Sequence, residues 1–385
     1  MLVLGDLVLL LGWKLAEDRT AHLGWWFGLG IITGLGFWIL GLIAVYALPV
    51  AVMLLWRHRM RGWRGYVAGM LGFFLGSGLW WLYNVRQSWS GLRTLFDPIA
   101  ERSALAPILP FEMRVLGLLL IGFPGLLGIR LPWLPGGVPV YVIPGIVAGH
   151  GVVAWYALQQ ARHRRWGGAF RLLWGVVLSL LGLLLLSRFG SDPTGRYLLP
   201  LYTPLCIFGA AGLDALGKRW RWASWMGMVV VAVLHLSGTV YAAMGPQGLT
   251  AQFDPRLHYG NAHDQDLIAF LKENGGTRGY TNYWISFKLA FLSDEEVILD
   301  AALPYKASLQ VVDPVGRYPG YDDEVAHAAS VVYVTGNQPE LDVVLRERLR
   351  EHEITYREHE VGPYRVFYDL SASTTPASLG IGHSY

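Results

Sequence analysis

Long apolar runs fill the first 244 positions and constrain the fold more than any other feature of the sequence. They lie at roughly 1–13, 23–38, 39–56, 65–83, 138–159, 169–187, 197–216 and 223–244. A ninth run, 114–129, is interrupted by Pro124 and Gly125. Because a helix needs about 20 mostly apolar residues to cross the hydrocarbon core, the runs predict an α-helical polytopic membrane protein with about eight spans. The low charged fraction of 15% excludes an ordinary soluble domain.

Charge divides the chain into two regions. Residues 1–244 contain 20 Lys and Arg against 8 Asp and Glu, whereas residues 245–385 contain 11 against 20. The second region alternates helical and strand patterns, which favours a small α/β domain with a largely parallel sheet. We therefore predict a multi-span membrane domain over 1–244 and an extracytoplasmic α/β domain over 245–370. The tail 371–385 is rich in Ser, Thr, Gly and Ala, so we expect it to be disordered.

Three basic linkers, at 57–64, 162–165 and 218–221, set the predicted orientation. Lys and Arg near span ends mark the cytoplasmic side. An even number of crossings must separate the first two linkers, but three apolar runs lie between them. We expect the run 114–129 to be the re-entrant or interfacial one, since its Pro-Gly break suits such a path. The chain is then a multi-pass protein of the cell membrane, and its C-terminal domain lies on the extracytoplasmic side.

Two arginines at the predicted outer face are candidate ligands for a lipid phosphate. Arg86 follows an aromatic span end, and Arg196 stands between a turn and the next apolar run. Guanidinium groups bind phosphate oxygens in a bidentate manner, and lipid phosphates lie at this depth. The predicted site is Arg196 and Arg86 with their neighbours Tyr197, Tyr83 and Asn84. A snorkelling anchor would account for either arginine taken alone.

Two further pairs of residues have weaker assignments. Asp97 and Glu101, in an outer loop, could contact an acceptor or a divalent metal, although solvation is the favoured interpretation. Tyr283 and Trp284 could stack on a sugar ring, but their helical spacing favours a domain core. The sequence contains no P-loop, HExxH or nucleophile elbow. We expect no nucleic acid among its partners.

Several short motifs, in this order, resemble a family of membrane enzymes. They are GLGFW at 34–38, YALP at 46–49, LGSGLWW at 75–81 followed by Tyr83-Asn84, GRYLLPL at 195–201, GYTNYW at 279–284 and RYPGY at 317–321. Together they resemble the GT-C superfamily of membrane glycosyltransferases. The most similar branch is family 39, the dolichyl-phosphate-mannose–protein-mannosyltransferase-like proteins.

The resemblance implies a glycosyltransferase, or a fragment of one, that transfers a sugar at the outer membrane face. The donor would be a polyprenyl-phosphate sugar, and the acceptor would be a glycan, lipid or protein. Whether the enzyme also uses a divalent metal as a cofactor stays open. In the family, an acidic residue in the first outer loop acts as the base or binds the metal. This chain has no loop before its first short run, so we expect an N-terminally truncated member whose catalytic acid is missing. Asp6 lies inside that run and is not assigned the role.

Two other functions remain open at this stage. One is an enzyme similar to an O-antigen ligase or polymerase, which would also use arginines at the outer face. The other is a noncatalytic membrane scaffold or a transporter with an outer-face binding domain. A transporter would place polar residues at the membrane midplane, and the apolar runs contain few of them.

Overall fold

The computed structural model describes residues 1–18, 20–86, 89, 109–127, 156, 167–186, 195–244, 257–305, 309 and 318–381. Over these ranges the protein is mostly helical, with one small sheet. The chain divides into two compact units. We call them the helical unit, whose last residue is Met244, and the sheet unit, whose described residues all follow Met244.

The described part of the helical unit consists of α-helices joined by short 3₁₀ turns. The helices are α1 (Leu2–Glu17), α2 (Leu23–Ile39), α3 (Ala44–His58), α4 (Trp63–Gly76), α5 (Gly78–Arg86), α6 (Phe111–Gly117), α7 (Phe123–Leu126), α8 (Gly167–Leu186), α9 (Tyr202–Arg219) and α10 (Arg221–Met244). The 3₁₀ turns are Gly41–Ile43, Arg59–Gly62 and Arg196–Leu201.

Three helical segments are long and apolar enough to cross a membrane, namely Gly41–His58, Gly167–Leu186 and Arg196–Lys218. A fourth is obtained if α4 and α5, which meet at a bend of 59°, are taken as one span. Helices α1 and α2 have 16 and 17 residues, fewer than the roughly 20 that a span needs. The described residues therefore do not support about eight spans. The run at 138–159 lies outside them except for Tyr156.

The surface of the helical unit is rich in large exposed apolar side chains. Leu75 is 66% exposed, Leu178 65% and Trp225 68%. A soluble protein rarely exposes an apolar surface of this extent, because hydrating it is unfavourable. Together with the apolar helices, this surface indicates association with a membrane.

The interrupted run 114–129 folds into a helix with a widened turn. Helix α6 passes into a π turn over Leu118–Gly122 and continues as α7. Pro124, in α7, has no amide hydrogen to donate to the preceding turn, and a π turn accommodates such a gap. The re-entrant path of this run stays a prediction.

Helices α2 and α4 meet backbone to backbone. A Cβ atom at Gly34 would lie 2.2 Å from the carbonyl oxygen of Phe73, and one at Gly72 would lie 2.2 Å from that of Phe27. Gly30 and Gly76 are equally close to backbone atoms of the facing helix. Glycines four residues apart on each helix thus form a surface that lets the two helices approach closely.

The sheet unit is a mixed α/β domain. Its strands are β1 (Arg278–Tyr280), β2 (Ile298–Asp300), β3 (Val332–Gly336), β4 (Arg357–Val361) and β5 (Tyr364–Tyr368). Its α-helices are α11 (Asp264–Glu273), α12 (Tyr283–Leu292), α13 (Pro319–Ala326) and α14 (Pro339–Glu351). The strand order is β2-β1-β3-β5-β4.

The sheet is parallel on one side only. Strand β1 pairs in parallel with β2 and β3, whereas β5 pairs antiparallel with β3 and β4. The expectation of a largely parallel sheet therefore holds for β1 to β3 and is wrong for the β4–β5 hairpin. That hairpin turns at Gly362, which has a φ of +55° that a residue without a Cβ adopts at no steric cost.

The tail was expected to be disordered, and this is wrong for residues 371–381. Leu379 is fully buried and Ile381 is 6% exposed, both in the core cluster that contains Tyr333 and Phe367. The Tyr333 hydroxyl also donates a hydrogen bond of 2.9 Å to the carbonyl of Thr374. Buried apolar side chains and hydrogen bonds, among them one of 2.9 Å from the Ser371 amide to the carbonyl of Thr355, fix a segment whose composition is otherwise polar.

Candidate functional site

Arg196 lies at the start of an apolar helical segment, just after a sharp turn. Gly195 has a φ of +76°, and a Cβ there would lie 3.1 Å from the carbonyl oxygen of Gly122. Both facts favour glycine at this position. The amide of Leu198 donates to the carbonyl of Gly195 at 2.9 Å and closes the first turn. We call residues 195–201 the Arg196 segment.

The Arg196 side chain is exposed while the segment around it is anchored. Leu198, Pro200 and Leu201 are buried, and the segment packs against α1, α7, α8 and α9. The guanidinium carbon lies 4.9 Å from the ring centroid of Tyr197, a cation–π contact that helps to orient the charge. The cationic group is therefore held at the end of a candidate span.

A polar contact inside the helical unit fastens α1 to the helix that follows the Arg196 segment. The hydroxyl of Thr203 donates to the Asp6 carboxylate at 2.7 Å, and the Tyr46 hydroxyl donates to the carbonyl of Pro200 at 3.4 Å. Sequence reasoning gave Asp6 no role. An acidic residue within an apolar run is a signal that could have identified it.

Arg86 and its neighbours occupy a different part of the helical unit. Arg86 is the last residue of α5, which packs against α2 and α4. Tyr83 is 54% exposed, but Asn84 is fully buried, and its Nδ2 donates to the carbonyl of Trp80 at 2.9 Å. The Asn84 side chain therefore makes a hydrogen bond within its own helix, α5. Arg86 and Arg196 lie on elements with different packing partners, so the described contacts do not join them into one site.

The remaining candidates divide into two groups. Asp97 and Glu101 lie outside the described residues. Tyr283 and Trp284 begin α12, where the Asn282 side chain accepts a hydrogen bond of 3.0 Å from the Trp284 amide. Their rings meet edge to face at 5.2 Å, both are half-buried, and Trp284 packs against the core cluster that includes Ile285. This geometry favours the core role over stacking on a sugar.

A pair of carboxyl groups in the sheet unit was not anticipated from the sequence. Asp300 ends β2, and Asp322 lies on α13, which packs against that strand. Burial and the hydrogen-bonded carboxyl of Asp322 raise the pKa of Asp300 to about 7. Within the described ranges, no group of three His, Cys, Asp or Glu side chains is placed to hold a metal ion.

The raised pKa predicts that β2 is held more firmly in mild acid than in mild base. The folded state binds the Asp300 proton more tightly than the unfolded chain does. The stabilisation is therefore complete below about pH 4 and is lost as the pH rises through about 7. We expect a loss of roughly 1–2 kcal/mol of local stability between pH 5 and pH 8, after allowing for solvent screening.

Hydrogen exchange at the amides of Ile298–Asp300, corrected for the intrinsic effect of pH, measures this loss. Asp300→Asn should abolish the pH dependence, whereas Asp323→Asn, which removes a neighbouring exposed charge on α13, should retain it. Protection that is equal at both pH values in the unmodified chain would contradict the assignment.

Comparison of the chain with models of protein families, with curated protein sequences and with solved structures found no match.

Proposed function

We propose that this protein is a GT-C-like membrane glycosyltransferase that binds a polyprenyl-phosphate sugar donor at the outer membrane face. Arg196 would bind the phosphate. The observation that carries the proposal is the position of Arg196, an exposed residue, on the first turn of an apolar segment of 23 residues, Arg196–Lys218.

The depth of Arg196 supports a phosphate ligand. A segment of this length has about the thickness of the hydrocarbon core, so its first residue falls near the lipid phosphates. The guanidinium group favours an anion. A polyprenyl phosphate presents this anion at this depth, with its chain in the bilayer.

The transfer needs two kinds of group. The bond from the anomeric carbon to the phosphate oxygen breaks, and a bond from that carbon to the acceptor oxygen forms. A cation stabilises the negative charge that develops on the leaving phosphate, which is the role proposed for Arg196. A base takes the proton of the acceptor hydroxyl, and we assign no residue to that role.

The other elements of the proposal follow from the sequence. The basic linkers favour a multi-pass topology with the sheet unit outside the cell membrane, where a glycan, lipid or protein acceptor would be available. Arg86 and Tyr83 remain a second candidate contact for the lipid. An O-antigen ligase-like enzyme would share the lipid-phosphate requirement, whereas a scaffold or a transporter would not.

Binding of polyprenyl phosphate, compared with polyprenol of the same chain length, tests the proposal. We expect the purified full chain in neutral detergent to bind the phosphate about tenfold more tightly or better, because a charge-assisted hydrogen bond to an anion contributes about 1.5–3 kcal/mol. Equal affinity for the two lipids would favour a scaffold or a transporter and contradict the proposal.

A further inference from the structure

A groove with a charged end runs along the helical unit between α1, α3 and α8. It encloses a cavity of about 360 Å³. Three residues at its charged end are Trp56, Arg57 and Arg171. Arg57 and Trp56 belong to the last turns of α3, and Arg171 belongs to the first turns of α8.

The two arginines share one aromatic ring. The guanidinium carbon of Arg57 lies 5.6 Å from the ring centroid of Trp56, and that of Arg171 lies 5.8 Å from it. The Arg171 Nε also donates to the carbonyl of Gly167 at 2.8 Å. Both guanidinium groups are thus positioned by contacts that leave their side chains exposed.

One acidic residue lines the same end, and its charge does not cancel the two arginines. The Glu17 carboxylate accepts a hydrogen bond of 2.9 Å from the Trp13 indole nitrogen. The lining residues therefore have a net positive charge, since Arg57 and Arg171 stand against Glu17 alone. A ligand that fits this end carries negative charge.

Apart from Ser179, the rest of the groove is apolar, and it follows α3 and α8 along their length. Pro49, Val52 and Leu172 line the cavity, and Leu48 and Leu178 continue into a second, open depression of about 590 Å³ that reaches Leu186. Along α8, the distance from Gly168 to Leu186 is about 27 Å at 1.5 Å per residue. This is close to the thickness of the hydrocarbon core.

Two glycines of α8 shape the groove. A Cβ at Gly175 would lie 2.4 Å from the Cβ of Pro49, so glycine lets α3 and α8 approach at the floor of the cavity. A Cβ at Gly182 would meet no atom within 4 Å. The space at Gly182 is open, and Gly182 lines the second depression.

We propose that this groove binds an anionic phospholipid, with its head group at Arg57 and Arg171 and one acyl chain along α3 and α8. Charge selects the head group, since basic pockets between membrane helices favour anionic lipids. Trp56 stands where an amphipathic ring is favoured at the membrane surface. The apolar length of the groove matches a chain that lies in the bilayer.

This site is distinct from the Arg196 segment. Arg171 is near the first residue of α8, whereas Arg196 follows its last residue, Leu186. If α8 crosses the membrane, the two arginines lie near opposite surfaces. The inference therefore does not rest on sugar transfer, and either proposal can fail without the other.

The charged end is tested by measuring lipid binding to the purified full chain by native mass spectrometry. We expect phosphatidylglycerol to bind about tenfold more tightly than phosphatidylcholine of the same acyl chains, and the double variant Arg57→Ala, Arg171→Ala to lose this preference. The matched control is Arg61→Ala, Arg64→Ala. This control removes the same charge from two residues outside the groove. Like Arg57, Arg64 has its guanidinium carbon near a tryptophan ring, 5.5 Å from the centroid of Trp63.

The apolar part is tested separately with Gly182→Phe, which should fill the open space and weaken phosphatidylglycerol binding about as much. Gly209→Phe, at an equally open glycine on α9, should bind as the unmodified chain does. Three results would each overturn the proposal. They are equal binding of the two lipids, an equal loss in the Arg61, Arg64 control, and full binding by Gly182→Phe.

Discussion

Arg196→Ala is expected to weaken the binding of polyprenyl phosphate by roughly 10- to 100-fold, because a charge-assisted contact to phosphate contributes about 1.5–3 kcal/mol. Arg196→Lys should retain part of the affinity. Lysine keeps the positive charge but lacks the planar group that binds two phosphate oxygens at once. Titration of the purified full chain with polyprenyl phosphate measures both effects.

The matched control for this variant is Arg221→Ala. Arg221 is also exposed and is also the first residue of its helix, α10, so the substitution removes the same charge from a similar position. We expect it to leave the affinity within about twofold of the unmodified chain, a change that an exposed charge away from the ligand produces. Equal losses in the two variants would show that general charge attraction, and not Arg196, governs binding.

The second large effect is expected from Gly34→Ile, which should destabilise the helical unit by about 3 kcal/mol or more. The added Cβ would lie 2.2 Å from the carbonyl oxygen of Phe73, and a backbone atom within a helix cannot move aside alone. Helices α2 and α4 would have to separate, and the close contacts along their glycines would be lost. Reversible unfolding of the full chain in SDS measures the change.

Gly28→Ile is the control, because it introduces the same side chain on the same helix. A Cβ at Gly28 meets no atom within 4 Å. Gly28→Ile should therefore change stability only through helix propensity. The difference in propensity between Gly and Ile is small compared with the loss of about 3 kcal/mol expected for Gly34→Ile. If Gly34→Ile unfolds at the same SDS fraction as Gly28→Ile, α2 and α4 do not pack through these glycines.

The positions of the apolar helices could be read from the sequence, but the number of them long enough to cross a membrane could not. The apolar runs at 23–38 and 169–187 agree within two residues with α2 and α8, because apolar composition marks where a helix lies. Whether a run crosses a membrane depends on length and straightness. The run at 65–83 divides at Ser77, where a hydroxyl-to-carbonyl hydrogen bond to Phe73 of 2.6 Å accompanies the 59° bend.

In the sheet unit, buried strands were predictable and the exposed edge was not. Strands β1, β2, β3 and β5 contain apolar residues that give a strand pattern. Strand β4 reads Arg-Glu-His-Glu-Val, and its first four residues are exposed, so it carries no such pattern. Charged edge strands of this kind protect a sheet from further pairing, and their pairing is set by the neighbouring strand.

In the candidate sites, single residues could be identified from the sequence, but contacts between distant residues could not. The motif at 195–201 drew attention to Arg196 because a cation beside an apolar run is visible in the sequence. The contact of Asp6 with Thr203 joins residues 197 positions apart, and the sharing of Trp56 by Arg57 and Arg171 also depends on the fold. Pairings between distant segments are fixed by tertiary packing, which a single sequence does not reveal.

Arg196 should be the group that makes the chain prefer a polyprenyl phosphate to the uncharged lipid. Polyprenyl phosphate and polyprenol are each titrated into the unmodified full chain and into Arg196→Ala. We predict that the unmodified chain prefers the phosphate about tenfold or more and that the variant shows no preference. A preference of the same size in both proteins, or in neither, would contradict the claim.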